Sequence, residues 1–426
     1  MENVVIARLK GSMSQVRSLS WYMLASLLPS VVSVAFNPFL AKNLSALDYS
    51  IIGYFTSFIS LFTPILNFSV VSFYVRKYFK IPEEHRQGVC DVVVTALLAW
   101  GLISQILVLV GLYYYHSLNQ VEFPFFPFAF IVVAQTFFNN FTLVYQVNCR
   151  MLRKARSYFW IAFLGTMITL FLSILLVIVI KGGAVGRLSS GLISAVIVGL
   201  FAIIKTLRRP RLDRKILKEA LSFGWPISLS SIVEYFMEGV AMALIAGIGD
   251  TDNMGLFVVG ATLGGYLAVF YGALIQTFEP DIYKAVADYD YKRILKIVSG
   301  ILLILVAIVF AFWILAKPVT YILTYGKYTD AYYFARIISL SVLTSFLMSI
   351  TKMIMNAFGF TKATLLNQIL SAASAYICYY FLVAHFQFTG AAYGRVLAPS
   401  FVFIFGFIQL LLLTPRIKRM RINENK

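Results

Sequence analysis

Apolar runs of membrane-spanning length follow one another along the chain, separated by short polar and mostly basic segments. They fall at 19–41, 49–75, 89–115, 124–148, 158–180, 188–206, 221–248, 254–278, 294–316, 333–358, 363–384 and 391–413. A hydrocarbon core about 30 Å thick needs about 20 such residues as helix. The runs are too long and too continuously apolar for the alternating strands of an outer-membrane barrel. The pattern therefore predicts an all-α polytopic membrane protein with about 12 transmembrane helices. The sixth run is the weakest, being short and containing several Ser and Gly.

The basic residues orient these helices. With a cytoplasmic N-terminus, 28 of the 36 Lys and Arg fall in cytoplasmic segments and 7 on the opposite side, while Lys352 lies inside a span. That bias predicts both termini in the cytoplasm and an even number of spans. The start is polar and basic and runs into the first span without a small-residue cleavage site, so that span is expected to be its own insertion signal. The longest basic segment, Lys205 to Lys218, separates six spans from six. The expected organisation is a six-helix bundle at 1–206, a basic linker at 207–220, a second bundle at 221–413 and a basic tail at 414–426. The halves show a faint echo: Trp21 precedes Asp48 by 27 residues, and Trp225 precedes Asp252 by 27. This favours a parallel repeat about an axis along the membrane normal, as in some transporters, over twelve unrelated helices.

Composition narrows the function. The chain of 426 residues is 60% hydrophobic and only 13% charged, about half the usual charged share, and its mean hydropathy is +0.83. Soluble globular and disordered classes are excluded. The net charge of +18 would suit a nucleic-acid binder, but the loops account for it as a topology signal, so no nucleic-acid partner is expected. Cys90, Cys149 and Cys378 lie in or at the ends of spans and read as small apolar packers. His85, His116 and His385 stand singly, with no metal-ligand spacing. There is no Walker A sequence. The expectation is therefore a transporter without metal, cofactor or catalytic residues. A membrane glycan ligase or polymerase, which usually needs larger extramembrane loops, is the alternative from the enzyme class.

Two acids, Glu234 and Glu238, are placed within a span, and their four-residue spacing puts them on one helix face. Like charges this close raise at least one carboxyl, so the pair would share a proton or hold a cation. Water in a wide cavity or a neighbouring base would neutralise them instead. An intramembrane acid is by default a functional candidate, and the pair is expected to couple transport to a proton or sodium gradient. Lys352 is the one base well inside a span, poised to snorkel to the headgroups or to bind an anion. Arg150 and Arg76 sit at the cytoplasmic mouths of spans four and two, and Asn37, Asn67 and Gln276 are polar groups within spans one, two and eight. Helix–helix hydrogen bonding is the simpler role for these amides. Pro29, Pro38, Pro64 and Pro226 are expected to kink spans one, two and seven.

Three segments carry a family likeness. Asn37-Pro-Phe-Leu-Ala-Lys-Asn-Leu-Ser-Ala-Leu-Asp48-Tyr49-Ser-Ile-Ile-Gly53 follows a Leu-x-x-x-Asp/Glu-Tyr pattern with a later Gly. Phe278-Glu-Pro280-Asp-Ile-Tyr closes span eight with an aromatic-x-Pro. Tyr321-Ile-Leu-Thr-Tyr-Gly326-Lys-Tyr-Thr-Asp-Ala331 precedes span ten, which carries Leu340. Together they resemble the polysaccharide-transporter family, the Wzx-type O-antigen and capsule flippases of the superfamily that also holds the MATE exporters. The resemblance implies a V-shaped pair of six-helix bundles in the bacterial inner membrane. It implies a monomer that moves an undecaprenyl-diphosphate-linked oligosaccharide, an O-antigen or capsule repeat unit, from the cytoplasmic to the periplasmic leaflet, where a glycan polymerase or ligase takes it over. The related peptidoglycan-precursor flippase has two further spans. Members often carry Arg or Lys inside the first, second and eighth spans to hold the diphosphate, and this chain has none there. The diphosphate and glycan then fall to Lys352, Arg150, Arg76, Asn37, Asn67 and Gln276, or to helix N-termini. A cation-coupled MATE-type multidrug exporter is the alternative within the superfamily.

Overall fold

In lipid, every backbone N–H and C=O must find its partner within the protein, and a helix does this segment by segment. The computed structural model agrees: the residues it describes, 28–424 except 30, 79–80, 120, 153 and 359, contain helices and no strand. Nine helical segments among them are long and apolar enough to cross a membrane, or ten when Arg214–Tyr235 and Val240–Ala246, bent by 45°, count as one span. Residues 19–27 and 30 of the expected run at 19–41 lie outside the described residues. The chain forms two compact units, one of Met1–Leu44 with Phe58–Leu229, the other of Ser45–Ser57 with Ser230–Lys426.

The first unit contains α1 (31–43), α3 (Ile59–Asn67), α4 (Val70–Tyr78), α5 (Glu83–Leu118), α6 (Phe128–Met151), α7 (Ala155–Ser173), α8 (Gly183–Thr206) and the first half of α9 (Arg214–Glu238). Its core joins Val93, Val94 and Leu97 of α5 to Phe137, Phe141 and Val144 of α6 and Ala202 of α8. The opposite stripe of α5 (Leu102, Ile103, Ile106, Leu107 and Val110) is apolar yet exposed, as a lipid-facing surface should be. α6 and α8 approach closely because a Cβ on Gly199 would stand 2.8 Å from the Phe138 carbonyl oxygen.

Two local features of this unit add to the sequence reading. Asp91, at the start of the third apolar run, is buried. It accepts hydrogen bonds from Gln87 Nε2 and from the Arg208 backbone N–H, both at 2.9 Å, and so pins the chain leaving α8. The basic linker expected at 207–220 becomes helical at Arg214. Asp213 caps that helix, accepting from the N–H groups of Ile216 and Lys215. Those bonds, with Arg211 and Lys215 nearby, hold its carboxyl below the usual range.

The second unit contains α2 (Ala46–Ser57), the rest of α9, α10 (Val240–Ala246), α11 (Thr251–Gly265), α12 (Ala268–Ala287), α13 (Tyr291–Thr324), α14 (Tyr332–Ser339), α15 (Ser341–Ala357) and α16 (Thr361–Glu424). Ser45 and Asp48 open α2 as a reciprocal cap: the Ser45 N–H donates to Asp48 Oδ2 at 2.8 Å and the Asp48 N–H to Ser45 Oγ at 3.0 Å. α13 buries Ile294, Ile301, Leu305, Val309, Ala316, Thr320 and Thr324, a seam that repeats every seven or four residues, and exposes most of its remaining apolar side chains. α16 breaks at Gln387 (φ 48°, ψ −125°), and its two arms cover the runs expected at 363–384 and 391–413.

Candidate functional site

The two charges that the sequence separates by 118 positions meet in the second unit. Lys352 on α15 donates from Nζ to Glu234 Oε1 on α9 at 2.8 Å. Both lie in segments able to cross a membrane. The Lys352 side chain is 17% exposed and that of Glu234 42%. Lys352 therefore turns to a carboxylate rather than snorkelling, and it is the neighbouring base that neutralises Glu234. A single charge at a bilayer centre costs about 2.5–3.5 kcal/mol on insertion scales, so the pairing offsets a penalty for each partner. Next to Lys352, Thr351 donates to the Leu347 carbonyl at 2.8 Å. Gly406 packs against Thr351 and Asn367. Asn367 donates to the Val402 carbonyl at 2.9 Å and accepts from Ser371 at 3.0 Å. This part of the unit thus carries hydrogen-bonding groups at helix–helix contacts.

A second polar feature lies in the first unit, where the second span breaks. α3 ends at Asn67, Phe68 (φ 45°) and Ser69 (φ 50°) are left-handed, and α4 starts at Val70. Non-glycine residues rarely adopt this conformation, and freed backbone groups at membrane depth need protein partners. Asn67 supplies one, its Oδ1 accepting the Ser69 N–H at 2.8 Å while its Nδ2 donates to Asn140 at 3.2 Å. Ser228 of α9 donates to Ser69 Oγ at 2.9 Å, and Trp100 Nε1 donates to the Ile65 carbonyl at 2.8 Å. Gly224 faces the Phe68 carbonyl where any side chain would collide. Asn140, Ser69 and Ser228 had no signal in the sequence, since neither Gly nor Pro marks the break. The helices run on through Pro64 and Pro226, and the interruptions fall at Phe68–Ser69 and, in the bent pair, between Tyr235 and Val240.

The remaining expected residues are spread out. Asn37 is buried on α1, and Arg150 is exposed in the last turn of α6. The side chains of Glu238, Arg76 and Gln276 lie outside the described residues. Among the described residues no three His, Cys, Asp or Glu are grouped to hold a metal. Two of the family-like segments meet in the second unit: Tyr49 packs edge-on to Tyr328, ring centroids 5.5 Å apart at 81°. Burial, with Asp48 and Asp252 nearby, pushes the Tyr328 hydroxyl up to about 12. Gly326 (φ 74°) closes α13, its N–H bonded to the Tyr321 carbonyl at 2.9 Å. These motif residues build the fold.

Comparison with known proteins agrees with this architecture. A family model described as "Polysaccharide biosynthesis protein" matches residues 39–333. No curated protein matches. An inward-facing multidrug-resistance MATE transporter of the MOP superfamily superposes with a TM-score of 0.71 at 17% identity, covering 95% of this chain and 99% of its own. The lipid II flippase MurJ, in an inward closed conformation, gives 0.71 at 14% identity, with 91% of this chain and 87% of its own covered. A MOP transporter from Pyrococcus furiosus, described as having reversed binding-pocket polarity, gives 0.56 at 17% identity, with 94% and 96% covered. At such identities the likeness establishes the fold, that of MOP-superfamily transporters. The family match, extending over more than half of the sequence, establishes that the chain belongs to the polysaccharide biosynthesis protein family.

Proposed function

We propose that this protein flips an undecaprenyl-diphosphate-linked oligosaccharide, an O-antigen or capsule repeat unit, from the cytoplasmic to the periplasmic leaflet of a bacterial inner membrane. The observation that carries the reading is the polysaccharide-family match over residues 39–333 on a chain whose fold is also that of a lipid flippase. A glycan cannot cross about 30 Å of hydrocarbon alone, because its hydroxyls would lose their hydrogen bonds. Alternating access solves this while the prenyl tail stays in lipid. The Glu234–Lys352 pair supports a coupling device. Lys352 can bind the Glu234 carboxylate or a phosphate of the substrate, and a proton arriving on Glu234 would release the ammonium for the phosphate. Glu238, one helical turn along, would share that proton or a sodium ion. The flippase acts as a monomer and hands its product to a polymerase or ligase.

Deleting the gene should make the lipid-linked glycan accumulate in the inner leaflet. Accumulation in the outer leaflet would overturn the reading and favour a polymerase or ligase. In proteoliposomes, Glu234→Gln should abolish the dependence of flipping on a proton or sodium gradient. Full flipping with unchanged gradient dependence would remove Glu234 from the coupling. The likeness to a MATE transporter supports a second reading, a cation-coupled exporter. Efflux of a cationic dye without glycan flipping would favour it.

A further inference from the structure

The first turns of α9 carry a charge pattern that the transport reading does not use. Arg214, Lys218, Leu221 and Trp225 recur at four- and three-residue intervals and share one helix face. From Arg214 to Trp225 the helix rises about 16 Å, so bases at one end give way to apolar side chains deeper along the same face. Two recesses flank this stretch within the first unit. One, of about 680 Å³, is lined by Phe73, Lys77, Lys218, Glu219 and Phe223 among others. The other, of about 1010 Å³, is lined by Phe68, Arg214, Leu221 and Trp225 among others. Lys215, Lys218 and Ser222 line both.

The charges there are unbalanced. Lys77 is paired with Glu219, the one acid of the lining, and sits 5.2 Å from the centre of the Phe73 ring. Asp213 is bonded to the helix N-terminus and lies near Arg211 and Lys215, leaving Arg214 and Lys218 to the recess. Among the described residues, no carboxylate lies within ion-pair distance of Arg214 or Lys218. Meanwhile Trp225 is 54% exposed and Leu221 39%, which leaves an apolar floor open beneath the bases. Cations above an exposed Trp and Leu and a half-buried Phe68 match an amphiphile with an anionic head and a hydrocarbon tail.

We propose that this recess binds a lipid through its phosphate headgroup, with Arg214, Lys215 and Lys218 on the phosphate oxygens and Leu221, Trp225 and Phe68 along the chain. The site goes beyond the transport reading and does not depend on it, since binding is measured without transport.

The test is native mass spectrometry of the purified full-length protein, titrated separately with phosphatidylglycerol, undecaprenyl diphosphate, phosphatidylcholine and inorganic phosphate. Lys215→Gln/Lys218→Gln should weaken binding of an anionic lipid about tenfold or more. Lys215→Arg/Lys218→Arg should restore it, which separates loss of charge from loss of fold. Undecaprenyl diphosphate binding more than about tenfold tighter than phosphatidylglycerol would support the site and name a polyprenyl diphosphate as its occupant. Comparable affinities would support it and name the bulk anionic lipids. Equal binding by the parent and the Gln variant, or inorganic phosphate binding as tightly as the lipids, would overturn the proposal. If flipping assays fail while this binding holds, the transport reading falls and the site stands.

Discussion

A lysine and a glutamate inside a membrane are each costly alone, and Lys352 and Glu234 are tolerated because each answers the other. Glu234→Gln should leave an ammonium without a counter-ion and lower stability by about 1–2 kcal/mol, less than for a fully buried pair because the Glu234 side chain is half in contact with its surroundings. Lys352→Met should cost a similar amount. The double variant should return close to the parent, since no charge is stranded. Thermal unfolding in one detergent checks all three, and strictly additive losses in the double variant would mean that the two charges do not interact. Sequence made both residues conspicuous, because charges within apolar runs stand out. It gave them separate roles, because nothing local to either position reveals a partner 118 positions away. Asp91 shows the opposite limit: it lies so near the start of its run that it reads as a loop acid, and only its bond to the Arg208 N–H reveals its work.

Helices in a membrane protein pose a problem of facing. α13 is apolar all round, so its periodicity does not indicate which stripe packs. The structure decides: Leu305 is fully buried while Leu303, two positions earlier, is 72% exposed. Leu305→Ala should destabilise by about 2–4 kcal/mol through lost contacts and a cavity, whereas Leu303→Ala should stay within about 0.5 kcal/mol. Unfolding of the two variants in the same detergent makes the comparison, and equal effects would contradict the assigned seam. The α3–α4 break is likewise a tertiary decision. Two non-glycine residues hold left-handed conformations only because Asn67, Asn140 and Ser228 satisfy the side chains and backbone around them. Pro64 and Pro226 were the visible breakers, yet the helices pass through them, because a lost N–H bond can be absorbed within a packed helix.

At the scale of the molecule, the loop charges predict which ends of the helices face the cytoplasm. With Cys90, Cys149 and Cys378 replaced by Ser, Arg211→Cys should resist a membrane-impermeant thiol reagent in intact spheroplasts, and Lys327→Cys should react. The reverse pattern would invert the expected topology. The compact units follow contacts rather than chain order. Ser45–Ser57 belongs with the second unit, and the chain stays in the first from Phe58 as far as Leu229. Which unit a segment joins depends on contacts such as Ser50 Oγ to the Thr251 carbonyl at 2.5 Å, between residues 201 positions apart.

The sequence by itself determined the membrane-helical class and the loci of the intramembrane charges Glu234 and Lys352. Its loose motifs pointed to a polysaccharide family, and a polysaccharide biosynthesis family model matches residues 39–333. These follow from sums over neighbouring residues, because transferring a run of side chains into hydrocarbon is a local free energy. Only the tertiary structure decided that Lys352 meets Glu234, that the second span breaks at Phe68–Ser69, and which stripe of each helix is buried. In lipid both faces of a helix are apolar, so hydrophobicity cannot choose between them. Packing and hydrogen bonds between distant residues make that choice.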